Sequence, residues 1–178
     1  MTNFLYHRLP NDLVGSYLYP LNQLQTKFPA VYDRQVKKYS GREQLLQRKI
    51  PILNCLWNDV LHFSPVHPSS IRDAVLAAGF KKFSTHWLQI DPEIAGMSPH
   101  NAVIYLYSPR QEGSPPNIED FLPFSLTQFS QLDGLPEAAT SYYREMREAG
   151  KQPLLFHLIP HVLYRGVIHL PEATIIEV

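Results

Sequence analysis

The sequence predicts an α+β fold in a single domain, 1–178. Three observations point to it. Short apolar runs rich in Val, Ile, Phe and Tyr recur along the 178 residues without any fixed repeat. Between them stand segments whose apolar spacing suits helices. The 16 prolines are spread along the chain and not gathered into a low-complexity tract, which favours many short elements and defined turns.

Residues 3–9, N-F-L-Y-H-R-L, read as a short strand ending at Pro10. Asn11-Asp12 then begin a turn in which Gly15 can adopt a conformation closed to other residues. Residues 21–39 have the spacing of two short helices broken at Pro29. Residues 41–50, G-R-E-Q-L-L-Q-R-K-I, are helical by composition. V-L-H-F-S, 60–64, is expected to be extended, because Val60, Phe63 and the following Pro65 favour that state.

H-P-S-S-I-R-D-A-V-L-A-A-G is the clearest local signal. Ser69 or Ser70 can cap a helix, Ile71, Val75 and Leu76 form its apolar face, and Gly79 stops it. Strands follow at 83–90 and 102–107, separated by the loop P-E-I-A-G-M-S-P-H-N. Residues 108–117 are a proline-rich loop, 120–135 mix helical and turn signals, and 141–150 form a helix starting near Pro136 and ending at Gly150. Two strands, 153–164 and 166–177, close the chain with a bend at Gly166.

Lysine plus arginine and aspartate plus glutamate number 16 each, so net charge gives no global case for binding nucleic acid or an acidic membrane. The lone Cys55 excludes an internal disulfide and a four-cysteine zinc site, and fits a reducing, cytoplasmic setting. The N-terminus lacks the apolar segment of a secretory signal, and no run approaches the ~18 apolar residues of a membrane helix; no membrane partner is expected. G-x-G-x-x-G, G-x-x-x-x-G-K-S/T and H-E-x-x-H are all absent.

Several polar residues stand where apolar ones are usual. His7 alternates with Leu5 and Leu9, which turns it toward the interior, with Tyr6 and Arg8 beside it. In W-N-D-V-L-H-F-S an extended chain puts Asn58, Val60, His62 and Ser64 on one face, whereas a helical turn would bring Asp59 to His62. In P-L-L-F-H-L-I-P-H-V-L-Y-R-G a regular strand separates His157 from His161 by roughly 13 Å, too far to share one ion. His161, Tyr164 and Arg165 offer an imidazole, a phenol and a guanidinium that could bind a phosphate or a stacked base. Cys55, beside Leu56 and Trp57, reads as a small core residue.

An N-terminal Y-H-R followed by a glycine, a middle V-L-H-F-S and a closing Y-R-G-V-I with a glutamate nearby resemble ADP-ribosyltransferases. The likeness is to the branch of DNA-targeting ADP-ribosyltransferase toxins and RNA 2′-phosphotransferases, and rests on about a fifth of the chain. It implies a mixed, mainly antiparallel split β core with peripheral helices and a NAD⁺ cleft between the two halves of the core. His7 would contact the nicotinamide ribose, Tyr17 or Tyr19 hold the nicotinamide, Arg8 or Arg165 meet the phosphates with Tyr164 beside them, and Glu172 support transfer to a protein, nucleic-acid or nucleotide acceptor. Two other expectations compete: a small hydrolase or metal-assisted enzyme centred on Asp59, His62 and His161, and a non-enzymatic protein-binding domain.

Overall fold

Two antiparallel sheets meet at a single pair of residues and then part. The computed structural model describes residues 3–107 and 116–178. In the first sheet β6 (His86–Ile90) lies between β1 (Leu5–Arg8) and β11 (Thr174–Glu177). In the second, the order is β5 (Leu61–Phe63), β9 (His161–Tyr164), β7 (Ala102–Tyr105) and β8 (Phe121–Pro123). Tyr6 of β1 and Ser64 beyond β5 exchange both backbone hydrogen bonds at 2.9 Å, the one bridge joining the sheets among the described residues. Two small hairpin-like pairs complete the strands: β2 (Tyr17–Leu18) with β10 (Ile168–His169), and β3 (Lys49–Ile50) with β4 (Cys55–Leu56).

Side-chain alternation gives the second sheet two buried faces. Leu61, Phe63, Ala102, Ile104, Val162 and Tyr164 point to a core shared with Leu5, Leu88 and Ile90 of the first sheet. Val103, Tyr105 and Leu163 point the other way, onto Ile50, Leu53, Cys55 and Phe121. His62 is paired with Leu163, and His161 with Tyr105, so both imidazoles belong to this second face. The whole is one α+β domain with a split, mainly antiparallel core and helices around it.

The helices lie at the periphery. α1 (Leu21–Lys27) and α2 (Pro29–Gln35) are broken as expected: Phe28 leaves helical geometry at ψ 72, and Pro29 takes the first position of α2, where its missing N–H costs nothing. α3 (Pro68–Ala77) and α5 (Glu137–Glu148) pack together over Val66 and Ile159, and the short α4 (Leu126–Phe129) follows β8. The cap of α3 is His67, whose Nδ1 accepts from the backbone of Ser69 at 3.2 Å, in place of the expected Ser69 or Ser70. Pro68 has set the first helical position and so moved the cap two to three residues earlier.

Three segments depart from their sequence patterns. Residues 41–50 form a 3-10 turn, Glu43–Gln47, followed by β3, because Lys49 and Ile50 find partners in Leu56 and Cys55. The expected strand 153–164 is regular only over β9; Leu158 has φ 62, which no strand residue adopts. The apolar run before it is a turn packed against α3 and α5, with Tyr142 accepting from the Leu154 backbone and Tyr143 donating to Leu155. His157 and His161 are therefore not two residues of one strand face. Finally, 166–177 is two strands separated by a 3-10 turn at Leu170–Glu172. Most of the loop expected at 108–117 falls outside the described residues.

Candidate functional site

Beyond the Tyr6–Ser64 bridge, β1 and the chain leading into β5 diverge, and a cavity of about 670 Å³ occupies the opening. That volume is ordinary for a small-molecule site. Leu18, Leu21, Leu24 and Val31 give it an apolar wall from β2, α1 and α2. His7 and Arg8 enter from β1, Tyr17 and Tyr19 from β2 and the residue after it, and His62 from β5. Five of the residues singled out from sequence thus converge on one space.

The helical cover is tied down by polar contacts. Asn22 at the start of α1 donates through its backbone to Asn58 O (3.0 Å) and through its side chain to Asp59 Oδ1 (2.7 Å). Asp12, in the loop after β1, accepts from Gln35 at 3.0 Å and pairs with Arg34 at 3.4 Å. These contacts fix the distance between the helices and the parting strands.

Both imidazoles in the cavity wall have one nitrogen committed to a backbone carbonyl. His7 Nδ1 donates to Arg8 O at 2.6 Å, and His62 Nε2 donates to Trp57 O at 3.0 Å. In a neutral ring the remaining nitrogens, Nε2 of His7 and Nδ1 of His62, carry lone pairs. Burial lowers the His7 pKa to about 4 against the opposing pull of the Arg8 carbonyl, with the charges of Lys38 and Arg8 adding to the depression. His62 falls to about 3, first through burial and then through its neighbour His161. At neutral pH both rings are acceptors.

The positive charge of the site comes from Arg8, Lys38 and Arg34, the last of them paired with Asp12. Lys38 is exposed as a residue, yet desolvation lowers its pKa. No carboxylate is within ion-pair distance of it among the described residues. Among the described residues Asp12 is the only acidic residue of the wall, and it is already engaged.

Lys38, Tyr39 and Asn58 were not singled out individually as site residues. Lys38 belongs to a K-K pair that looks like a solvated helix end, and Tyr39 is one of ten tyrosines. Asn58 had a signal in W-N-D-V-L-H: of the expected common face Asn58, Val60 and His62 line the cavity, but Ser64 does not and Leu61 from the opposite side does, because the chain is a turn at 57–58 and regular strand only from Leu61.

The other expected residues lie elsewhere. Asp59 accepts from Leu56 N at 2.7 Å and from Asn22, and makes no hydrogen bond to His62. His161 is buried behind His62, ring centroids 6.1 Å apart; the Ile159 carbonyl stands near, but nothing is in hydrogen-bonding geometry with its Nδ1. Tyr164 donates to Ala95 O at 3.0 Å from within the main core, and Arg165 donates to Leu53 O at 3.2 Å. Glu172 is exposed beside His169 (3.6 Å), whose ring packs on Tyr17 at 4.9 Å, so it stands one side chain behind the cavity wall. Burial pushes the Cys55 thiol up to about 11, as suits a core residue. Among the described residues no group of three or more His, Cys, Asp and Glu is arranged to hold a metal ion, and no helix is long and apolar enough to cross a membrane.

Comparison with protein-family models, with curated proteins and with solved structures finds no match.

Proposed function

We propose that the cleft between β1 and β5 binds NAD⁺, and that the protein is a NAD-dependent ADP-ribosyltransferase acting in the cytoplasm on a protein, nucleic-acid or nucleotide acceptor. One observation carries this reading: His7, Arg8, Tyr17 and Tyr19, chosen from sequence for a NAD⁺ site, line a single cavity at the parting of the two sheets. Its chemistry suits the ligand. Lone pairs on neutral His7 and His62 accept from ribose hydroxyls, Tyr17 and Tyr19 offer rings to a planar base, and Arg8 and Lys38 offset phosphate charge. Bound NAD⁺ would supply a labile bond between ribose and nicotinamide, open to attack by the acceptor. The contribution of this chain is to hold the ribose through His7 and to screen the cleft from water with α1 and α2.

Calorimetric titration with NAD⁺, repeated on His7→Ala, tests the reading. Saturable binding that disappears in the variant is expected; no binding by the folded protein at millimolar ligand overturns it. A second reading, NAD⁺ binding without transfer, is favoured by the engagement of Asp12, the one carboxylate in the wall among the described residues, with Arg34 and Gln35. Release of free nicotinamide on incubation with NAD⁺ separates the two.

A further inference from the structure

At the base of the cavity Asn58 is only 2% exposed. Its Oδ1 accepts the Tyr39 hydroxyl at 2.7 Å, with Nδ2 on the other side of the amide. That Nδ2 is buried and has no acceptor. Buried donors are rarely left so, and one in the wall of a cavity is most simply completed by a ligand oxygen.

Lys38 stands beside the same pair. Its Nζ is 5.1 Å from the centre of the Tyr39 ring, and its charge reaches both His7 and His62. It has no carboxylate partner among the described residues. The three residues come from one stretch, the 3-10 turn after α2, and from the turn before β5, which Tyr39 and Asn58 clasp together.

We infer that Lys38, Tyr39 and Asn58 form a phosphoryl subsite, in which Asn58 Nδ2 donates to a phosphoryl oxygen and Lys38 balances its charge. A carbonyl would satisfy the amide and leave the ammonium unpaired. A phosphoryl group brings both the negative charge and several acceptor oxygens to one point. Neutral His7 and His62 add no repulsion and no competing positive charge, so beside Arg8 the discrimination rests on Lys38 and Asn58. The inference rests on the nucleotide reading of the same cavity, where the group is the pyrophosphate of the dinucleotide; a free pyrophosphate shares its chemistry.

The test is calorimetry of the full chain with ADP-ribose, inorganic pyrophosphate and adenosine, on the wild type, Lys38→Met and Asn58→Asp. Thermal melting confirms folding, and Lys38→Met, an exposed position, stands in should Asn58→Asp fail to fold. Each variant is expected to weaken ADP-ribose and pyrophosphate about tenfold or more and to leave adenosine unaffected. Unchanged ADP-ribose binding by folded Lys38→Met overturns the subsite and leaves the nucleotide reading standing. Pyrophosphate binding that is lost in Lys38→Met, with no ADP-ribose binding by the wild type, supports the subsite and overturns the nucleotide reading. Binding of neither ligand overturns both.

Discussion

The layer formed by α3 and α5 and the cleft between β1 and β5 are both lined by apolar side chains but finished differently. In the helical layer Ile71, Val75, Ala139, Tyr143 and Ile159 close on one another, and the tyrosine hydroxyls at 142 and 143 are both spent on the backbone at 154–155. In the cleft Leu21, Leu24 and Val31 also form an apolar wall, yet Asn58 Nδ2 has no acceptor and Lys38 no counter-charge among the described residues. The helical layer is a region that satisfies its tyrosine hydroxyls internally. One that leaves donors and a cation unspent beside a cavity gives up some of that stability in a form that a ligand can restore.

Acid provides the largest expected effect. His7, His62 and His161 have folded pKa values of about 4, 3 and 4, below the ordinary 6.5, because burial disfavours their charged forms. The unfolded chain therefore binds more protons, and stability rises with pH through this window: fully present above 6.5, it is lost as pH falls toward about 4. Urea midpoints should drop between pH 7 and pH 5, and His161→Leu should lessen the drop by one proton's share. Hydrogen exchange should show β1 and β5 opening before α3 and α5. Simultaneous loss of both regions would break the contrast.

Within the satisfied layer, Ile71→Ala should cost about 3 kcal/mol in urea unfolding at pH 7, since Ile71 is fully enclosed and its neighbours are held by two helices. Gly166→Ala should cost about 2 kcal/mol. A Cβ there would stand 2.3 Å from Cζ of Tyr164, whose hydroxyl is anchored on Ala95, so ring or bend must shift. Smallest is Lys38→Met, expected to leave unfolding within about 0.5 kcal/mol of wild type. A large loss there would make Lys38 structural and remove the distinction between the two regions.

Much of the fold was legible because local chemistry agreed with tertiary environment. Pro29 broke the first helices, Gly79 and Gly150 fell just past α3 and α5, and alternation set β1, β6 and β7. The site was legible where a polar residue interrupted an apolar pattern, as at His7 and His62. Lys38 and Tyr39 interrupt nothing, and their role depends on the turn after α2 reaching Asn58, a contact across 19 positions. The run at 153–160 misled in the opposite direction: it is apolar on both sides as a buried strand would be, but two helices bury it, with no strand partner.

The sequence by itself determined that this is a mixed α+β chain with short elements, where most of its helices begin and end, and that His7 and His62 interrupt apolar patterns. Those properties follow from backbone restriction at proline and glycine and from the period of apolar residues, which act within a few positions. Only the tertiary structure decided that β1 and β5 join at one bridge and then part, that α1 and α2 cover the opening, and that Asp59, His161, Tyr164, Arg165 and Glu172 lie outside it. Those outcomes depend on pairings between distant segments, where the competition among partners for the same buried surface leaves no local pattern to read.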